Sequence, residues 1–203
     1  MKKLTFISIL LLWTTSLFAQ SDEFRIGGYL QGMPVRIGAD LPQPLGSDAF
    51  WEYRLQNRLN LQWYISPDVT FNWEMRTRLF AGDLVEEIPF YADGIDTDPG
   101  FLNLSWMIEE NETWILHYIP DRLNLDWYTD SWRVTAGRQR INWGINTVSN
   151  PNDLFNIYSF YDFDYPERPG TDAIRVQYFI DWASRVEIAY SPAREARNTV
   201  AAG

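Results

Sequence analysis

From Phe50 to Ile65 apolar and polar side chains alternate with a period of two. Trp51, Tyr53, Leu55, Leu59, Leu61, Trp63 and Ile65 share one parity, interrupted at Asn57. Glu52, Arg54, Gln56, Arg58, Asn60, Gln62 and Tyr64 take the other. That period places the two sets on opposite faces of a strand. Soluble strands usually run ~5–6 residues, whereas a tilted membrane strand needs ~9–11. After Ser66-Pro67-Asp68 the pattern resumes. Val69, Phe71, Trp73, Met75 and Leu79 alternate with Thr70, Asn72, Glu74, Arg76 and Arg78. The two runs predict a long antiparallel hairpin. With the turn near Pro67, Arg58 stands opposite Glu74 or Arg76. Opposite charges across a pair stabilise and like charges do not, so Glu74 is the expected partner.

The same rhythm recurs along the chain. Glu23 to Arg36 reads as a first strand, weakened by glycines. Trp114 to Tyr128 reads as one strand whose parity slips near Pro120, the mark of a bulge. Trp132 to Trp143, Asp172 to Phe179 and Arg185 to Ser191 alternate again, and a further strand opens near Asn198. Leu102 to Ile108 is too short to span a bilayer and is expected as a short extra strand among the outer loops. Ala81 to Phe101 and Gly144 to Thr171 read as long polar loops. The second opens with a helix start, Asn150 as cap and Pro151 at the first helical position.

The connections sort into two kinds. Ser66–Asp68, Thr129–Ser131 and Asp181–Ser184 are short turns. Each is bracketed by aromatic residues: Trp63 and Tyr64; Trp127, Tyr128 and Trp132; Tyr178, Phe179 and Trp182. Short turns at one end, long loops at the other and an aromatic girdle predict an all-β fold, an antiparallel transmembrane β-barrel. A soluble secreted β-sandwich is the alternative. A barrel in lipid must close, and bacterial ones have an even strand number. Seven strands and the opening of an eighth, with no terminal aromatic, predict that residues 20–203 are the N-terminal part of a larger barrel. A small eight-stranded barrel is the other reading.

Composition sharpens this picture. Lys2 and Lys3, the apolar run Leu4–Trp13 and the small residue Ala19 form a secretory signal peptide over residues 1–19. They carry the only lysines, so cleavage moves the net charge from −10 to −12, with histidine neutral, and leaves arginine as the source of positive side-chain charge. The acidic total argues against nucleic acid. There is no cysteine, so an exported chain here relies on packing or on a bilayer. No later segment has the ~18 apolar residues of a spanning helix. Aromatic residues make up 16% of the chain, with ten tryptophans, which suits interfacial belts.

Candidate chemistry is confined to charge. His117 is the only histidine, with no serine or aspartate partner evident in sequence, so nucleophilic catalysis is not expected. No cofactor motif is present. Asp93, Asp96 and Asp98 alternate as calcium ligands do but lack the EF-hand spacing, and a solvated acidic loop is the plainer reading. The polar parity of the strands supplies the candidate lining: Arg54, Arg58, Glu74, Arg76, Asp126, Arg133 and Arg175. Arg138 and Arg140 lie where a strand meets the 144–171 loop, whose Asp153 is a candidate partner. These charges either lock loop to wall or form a constriction that selects solutes.

Gly137-Arg138-Gln139, Asn142-Trp143-Gly144, Asn150-Pro151 and the run Glu167 to Asp172 resemble the porin-like outer-membrane proteins of Gram-negative bacteria, a group similar to the alginate-export type of barrel. The resemblance is strongest over Leu123 to Ser191. It implies an outer-membrane location and a passive channel for small polar or anionic solutes, with no cofactor and no enzymatic activity. Its implied partners are outer-membrane lipid, the barrel-assembly machinery and the solutes themselves, with oligomer formation left open. The alternative is a non-conducting barrel serving as receptor, adhesin or envelope structural protein.

Overall fold

The computed structural model describes residues 22–40, 47–98, 100–142, 170–192 and 199–202. They form an antiparallel, all-β architecture. The strands are β1 (Phe24–Asp40), β2 (Ser47–Ser66), β3 (Val69–Ala81), β4 (Trp106–Glu110), β5 (Trp114–Tyr128), β6 (Trp132–Gln139), β7 (Thr171–Phe179), β8 (Arg185–Ser191) and β9 (Thr199–Ala202). Their order is β1-β2-β3-β5-β6-β7-β8-β9, with β4 added beside β5. Among the described residues β1 and β9 are the two edges and do not pair, so the sheet is open.

The alternating runs lie where the period of two placed them, with β1 running past Arg36 to Asp40, β2 starting earlier at Ser47, and two further shifts. The β6 strand stops at Gln139 and does not reach Trp143. The extra strand is displaced to Trp106–Glu110 and pairs with Ile115–Tyr118 of β5. The proline slip is a bulge: Glu74 pairs Arg122 and Met75 pairs Pro120, leaving Asp121 between them. Asp121 and Arg122 are therefore buried in succession. The buried parity changes from Ile115, His117 and Ile119 before the bulge to Asn124 and Asp126 after it.

The expected arrangement of Arg58 opposite Glu74 needs correction. The register sets Arg58 opposite Arg76 and Asn60 opposite Glu74. Arg58 still pairs with Glu74, reaching diagonally to the neighbouring row. A long planar guanidinium spans the offset that the backbone register leaves.

The loop expected over Ala81–Phe101 is also corrected. It contains two short helices, α1 (Asp83–Glu87) and α2 (Tyr91–Ile95). Leu84 and Ala92 are buried, and Ala92 packs with Phe80 and Ile115, joined by Val85, Tyr91, Ile95 and Met107. Among the described residues this is one of two small apolar clusters; the other is Ile141, Ala173 and Ala189.

The three short turns share one rim. Tyr128 N–H donates to the Asp68 carbonyl and Phe179 N–H to the Ser131 carbonyl, each at 2.8 Å. Tyr64 N–H donates to Glu23 O at 2.8 Å beside them. Aromatic pairs line this rim, Phe24 stacked on Trp63 at 5.6 Å and Trp132 against Tyr178 at 4.7 Å.

Burial on the two faces is inverted relative to a water-soluble sheet. The charged parity is buried: Glu52 and Arg58 are each 1% exposed, and Arg76, Asp126 and Glu187 are each 3%. The apolar parity is open: Tyr53 is 58% exposed, Ile174 54%, Ile188 52% and Trp182, at the rim, 99%. More polar and charged side chains than apolar ones are buried among the described residues. Soluble proteins seldom bury charge or expose contiguous apolar surface in this way.

Candidate functional site

Buried charge is costly unless it is paired and hydrogen-bonded, and the polar face meets that condition. At its centre Arg58 donates to Asp121 Oδ2 at 2.7 Å, to Asn60 Oδ1 at 2.9 Å and to Glu74. Arg76 Nη2 lies 3.5 Å from the other Asp121 oxygen. The bulge thus drives one carboxylate between two arginines that face each other across the ladder. Towards the short-turn rim Arg133 holds Asp126 through Nε at 3.0 Å and Nη2 at 3.1 Å. Asp126 also accepts from Asn72 Nδ2 at 3.0 Å and from the Thr135 hydroxyl. Farther along the sheet Arg175 clasps Glu187 at 2.6 and 2.8 Å, and Gln177 donates to the same carboxylate at 2.8 Å. At the loop end Arg54 binds Glu52 at 2.7 Å. Arg54 and Arg78 lie over the Phe80 ring at 4.9 and 5.2 Å, which accommodates an aromatic ring on a charged face.

A second centre forms around Arg138, just after Gly137. Gly137 has φ +114°, a left-handed conformation in which a Cβ would stand 2.3 Å from the Leu123 carbonyl oxygen, so glycine is required. Alternation fails here, and Arg138 and Gln139 are both buried. Arg138 donates through Nε and Nη2 to Asp172, each at 2.9 Å. It also reaches Asp98 Oδ2 and the Leu102 carbonyl, each at 2.8 Å. Gly100 and Gly170 pack against it so closely that an added Cβ would meet its side chain at 2.2 and 2.8 Å. Asp98 is itself braced, accepting from Gly100 N–H at 2.8 Å and Leu104 N–H at 2.7 Å. One guanidinium therefore ties β6, β7 and the 98–104 segment together.

His117 has the partners that sequence did not reveal. Arg78 Nη2 lies 3.2 Å from Nδ1, and Ser105 Oγ lies 2.7 Å from Nε2 and 2.5 Å from Asp96 Oδ1. Because arginine only donates, Nδ1 accepts, Nε2–H donates to Ser105, and the serine proton points to Asp96. That polarity is the reverse of a serine activated by histidine. The chain instead fastens Asp96 and Ser105 to β5.

These contacts fasten the described part of the 83–105 segment to the charged face at several points. Trp51 N–H donates to Asp83 Oδ2 at 2.9 Å, and the Tyr91 hydroxyl donates to Glu52. Burial, reinforced by that carboxylate, raises the Tyr91 hydroxyl well above its ordinary range. The segment expected to be a surface loop is an inserted element with fastenings at Glu52, His117 and Arg138.

Of the predicted lining residues, Arg54, Arg58, Glu74, Arg76, Asp126, Arg133 and Arg175 all lie on the charged face. Arg138 is buried in its own cluster rather than open to a passage, and Arg140 is exposed just beyond β6. Asp153 and nearly all of the 144–171 loop lie outside the described residues. Sequence reading missed Asp121, the pairing of Asp98 and Asp172 with Arg138, and the Ser105–His117 contact. Asp121 carried a signal: two adjacent charges after a strand proline, where a bulge buries both. Neither a protein-family model nor a curated protein nor a solved structure matches the chain.

Proposed function

We propose that the chain forms the wall of an outer-membrane porin-like channel for small polar or anionic solutes. The single observation that carries this reading is the inverted sheet, which has a charged, ion-paired face buried and an apolar, aromatic-edged face exposed. Lipid is the solvent that stabilises such an apolar face, and an aqueous lumen suits such a charged one. The aromatic residues at the short turns fit the depth of the headgroups. On this reading the partners are outer-membrane lipid, the barrel-assembly machinery and the permeating solute, and the 83–105 segment narrows the passage. The test is single-channel conductance of the complete protein in a planar bilayer. Open pores are expected, with ion selectivity shifted by Arg140→Ala, which removes an exposed cation at the outer end of β6. Absence of any conductance would remove the channel reading.

One observation favours a second reading. The 83–105 segment is fastened along the charged face at three places, as a plug would be. A filled barrel acting as a receptor, adhesin or structural protein predicts no conductance until those fastenings are broken.

A further inference from the structure

Between α1, α2 and the turn joining β4 to β5 lies a cavity of about 480 Å³. That volume is within the range of small-molecule sites. Its lining combines the apolar Val85, Ile88 and Phe90 with the exposed acids Asp93, Glu110 and Glu112. From Asp83 to Glu112 every charged residue of the chain is acidic. Phe90 is the one described non-glycine residue with positive φ, at 62°, and the residue is 82% exposed and not part of the Phe80–Ile115 cluster. The chain accepts a left-handed turn there and leaves an aromatic face open at the cavity.

We propose that this cavity binds a small organic cation with an apolar body, an ammonium or quaternary ammonium group on a hydrocarbon or aromatic frame. The body would rest on Val85, Ile88 and Phe90, while the charge faces Asp93, Glu110 and Glu112. Apolar lining alone does not choose the sign of charge; the three carboxylates do, because they oppose an anion. An aromatic face adds attraction for a cation and none for a neutral isostere. A bare metal ion gains nothing from the apolar wall. The cavity is built within residues 85–115 and needs no open passage, so the proposal stands or falls apart from conduction.

Benzyltrimethylammonium titrated calorimetrically into the folded full-length chain in a neutral maltoside detergent tests it. Saturable binding is expected, weakening as salt rises, with benzyl alcohol and benzenesulfonate binding at least about tenfold less tightly. The double variant Glu110→Gln/Glu112→Gln keeps side-chain size and should lose about tenfold in affinity. Val85→Trp should abolish binding by filling the cavity. No saturable binding, equal binding of benzyl alcohol, or full affinity in the carboxamide variant would overturn the proposal.

Discussion

Arg138 is the residue at which β6, β7 and the 98–104 segment meet. Its guanidinium meets two carboxylates and a carbonyl within 2.9 Å, and both carboxylates are otherwise cut off from water. Arg138→Ala leaves Asp98 and Asp172 buried without their cation. Breaking a buried pair in this way costs about 3–5 kcal/mol. Urea unfolding from lipid vesicles should register that loss. Arg138→Lys should recover only part of it, because an ammonium lacks the planar fork. Asp181 offers a contrast at the same scale. It is exposed in a short turn, and the amides of Ala183 and Ser184, each donating at 2.8 Å, hold its carboxyl below the usual carboxylate range. A depressed folded value means that its contribution is complete above the ordinary aspartate range. It is lost as pH falls through the lowered value. Asp181→Asn keeps an acceptor for both amides, so the turn should persist while that acid-side slope in stability disappears. Unfolding midpoints of the two proteins between neutral and acid pH check this.

At the scale of elements, strands were legible because alternation repeats over many residues. The β2–β3 hairpin and the bulge at Pro120 follow from it directly. The helices α1 and α2 were not legible. Gly82 and Pro89 bound the first helix and Gly94 sits inside the second, and each helix is only five residues long, too few to display a 3.6-residue period. The early end of β6 was hidden for a related reason, since nothing local distinguishes a strand glycine from one at φ +114°. The charged wall could be read residue by residue, but its pairing could not. Arg58 meets Glu74 one row off register, and Arg138 takes Asp98 from forty residues away because the 83–105 segment folds back over the sheet. That fold-back yields its own prediction. Both Asp98 oxygens accept, Oδ1 from Gly100 N–H and Oδ2 from Leu104 N–H and Arg138, so in Asp98→Asn the amide NH2 meets a donor in either orientation, and the charge that paired Arg138 is gone. The 96–105 stretch should detach while the strands persist. Limited proteolysis of the folded protein should then cut within 96–105, where the parent protein resists, and any conductance should rise.

For the whole molecule, the decisive question is which solvent the apolar face meets, and one substitution separates the answers. Ile174 is 54% exposed in mid-strand, opposite Ala136 and Tyr190. It lies four residues from Tyr178 at the aromatic rim, about 13 Å at the usual rise per strand residue. An outer-membrane barrel has an apolar band ~25 Å tall, so this position falls near its middle. If water bathes this face, Ile174→Arg replaces one exposed side chain with another and changes stability by no more than about 0.5 kcal/mol. If lipid bathes it, an arginine at the midplane costs about 2–4 kcal/mol, falling to about 0–1 near the interfaces. The rim substitution Trp182→Arg is the internal control, expected to be mild on either reading, because a membrane wall would hold this rim at headgroup depth. Reversible folding into phosphatidylcholine vesicles, followed by tryptophan fluorescence against urea, reads both. A large loss for Ile174→Arg with a small one for Trp182→Arg is the depth profile that a membrane wall requires. Small losses for both would place the exposed face in water and set aside the membrane reading with everything built on it.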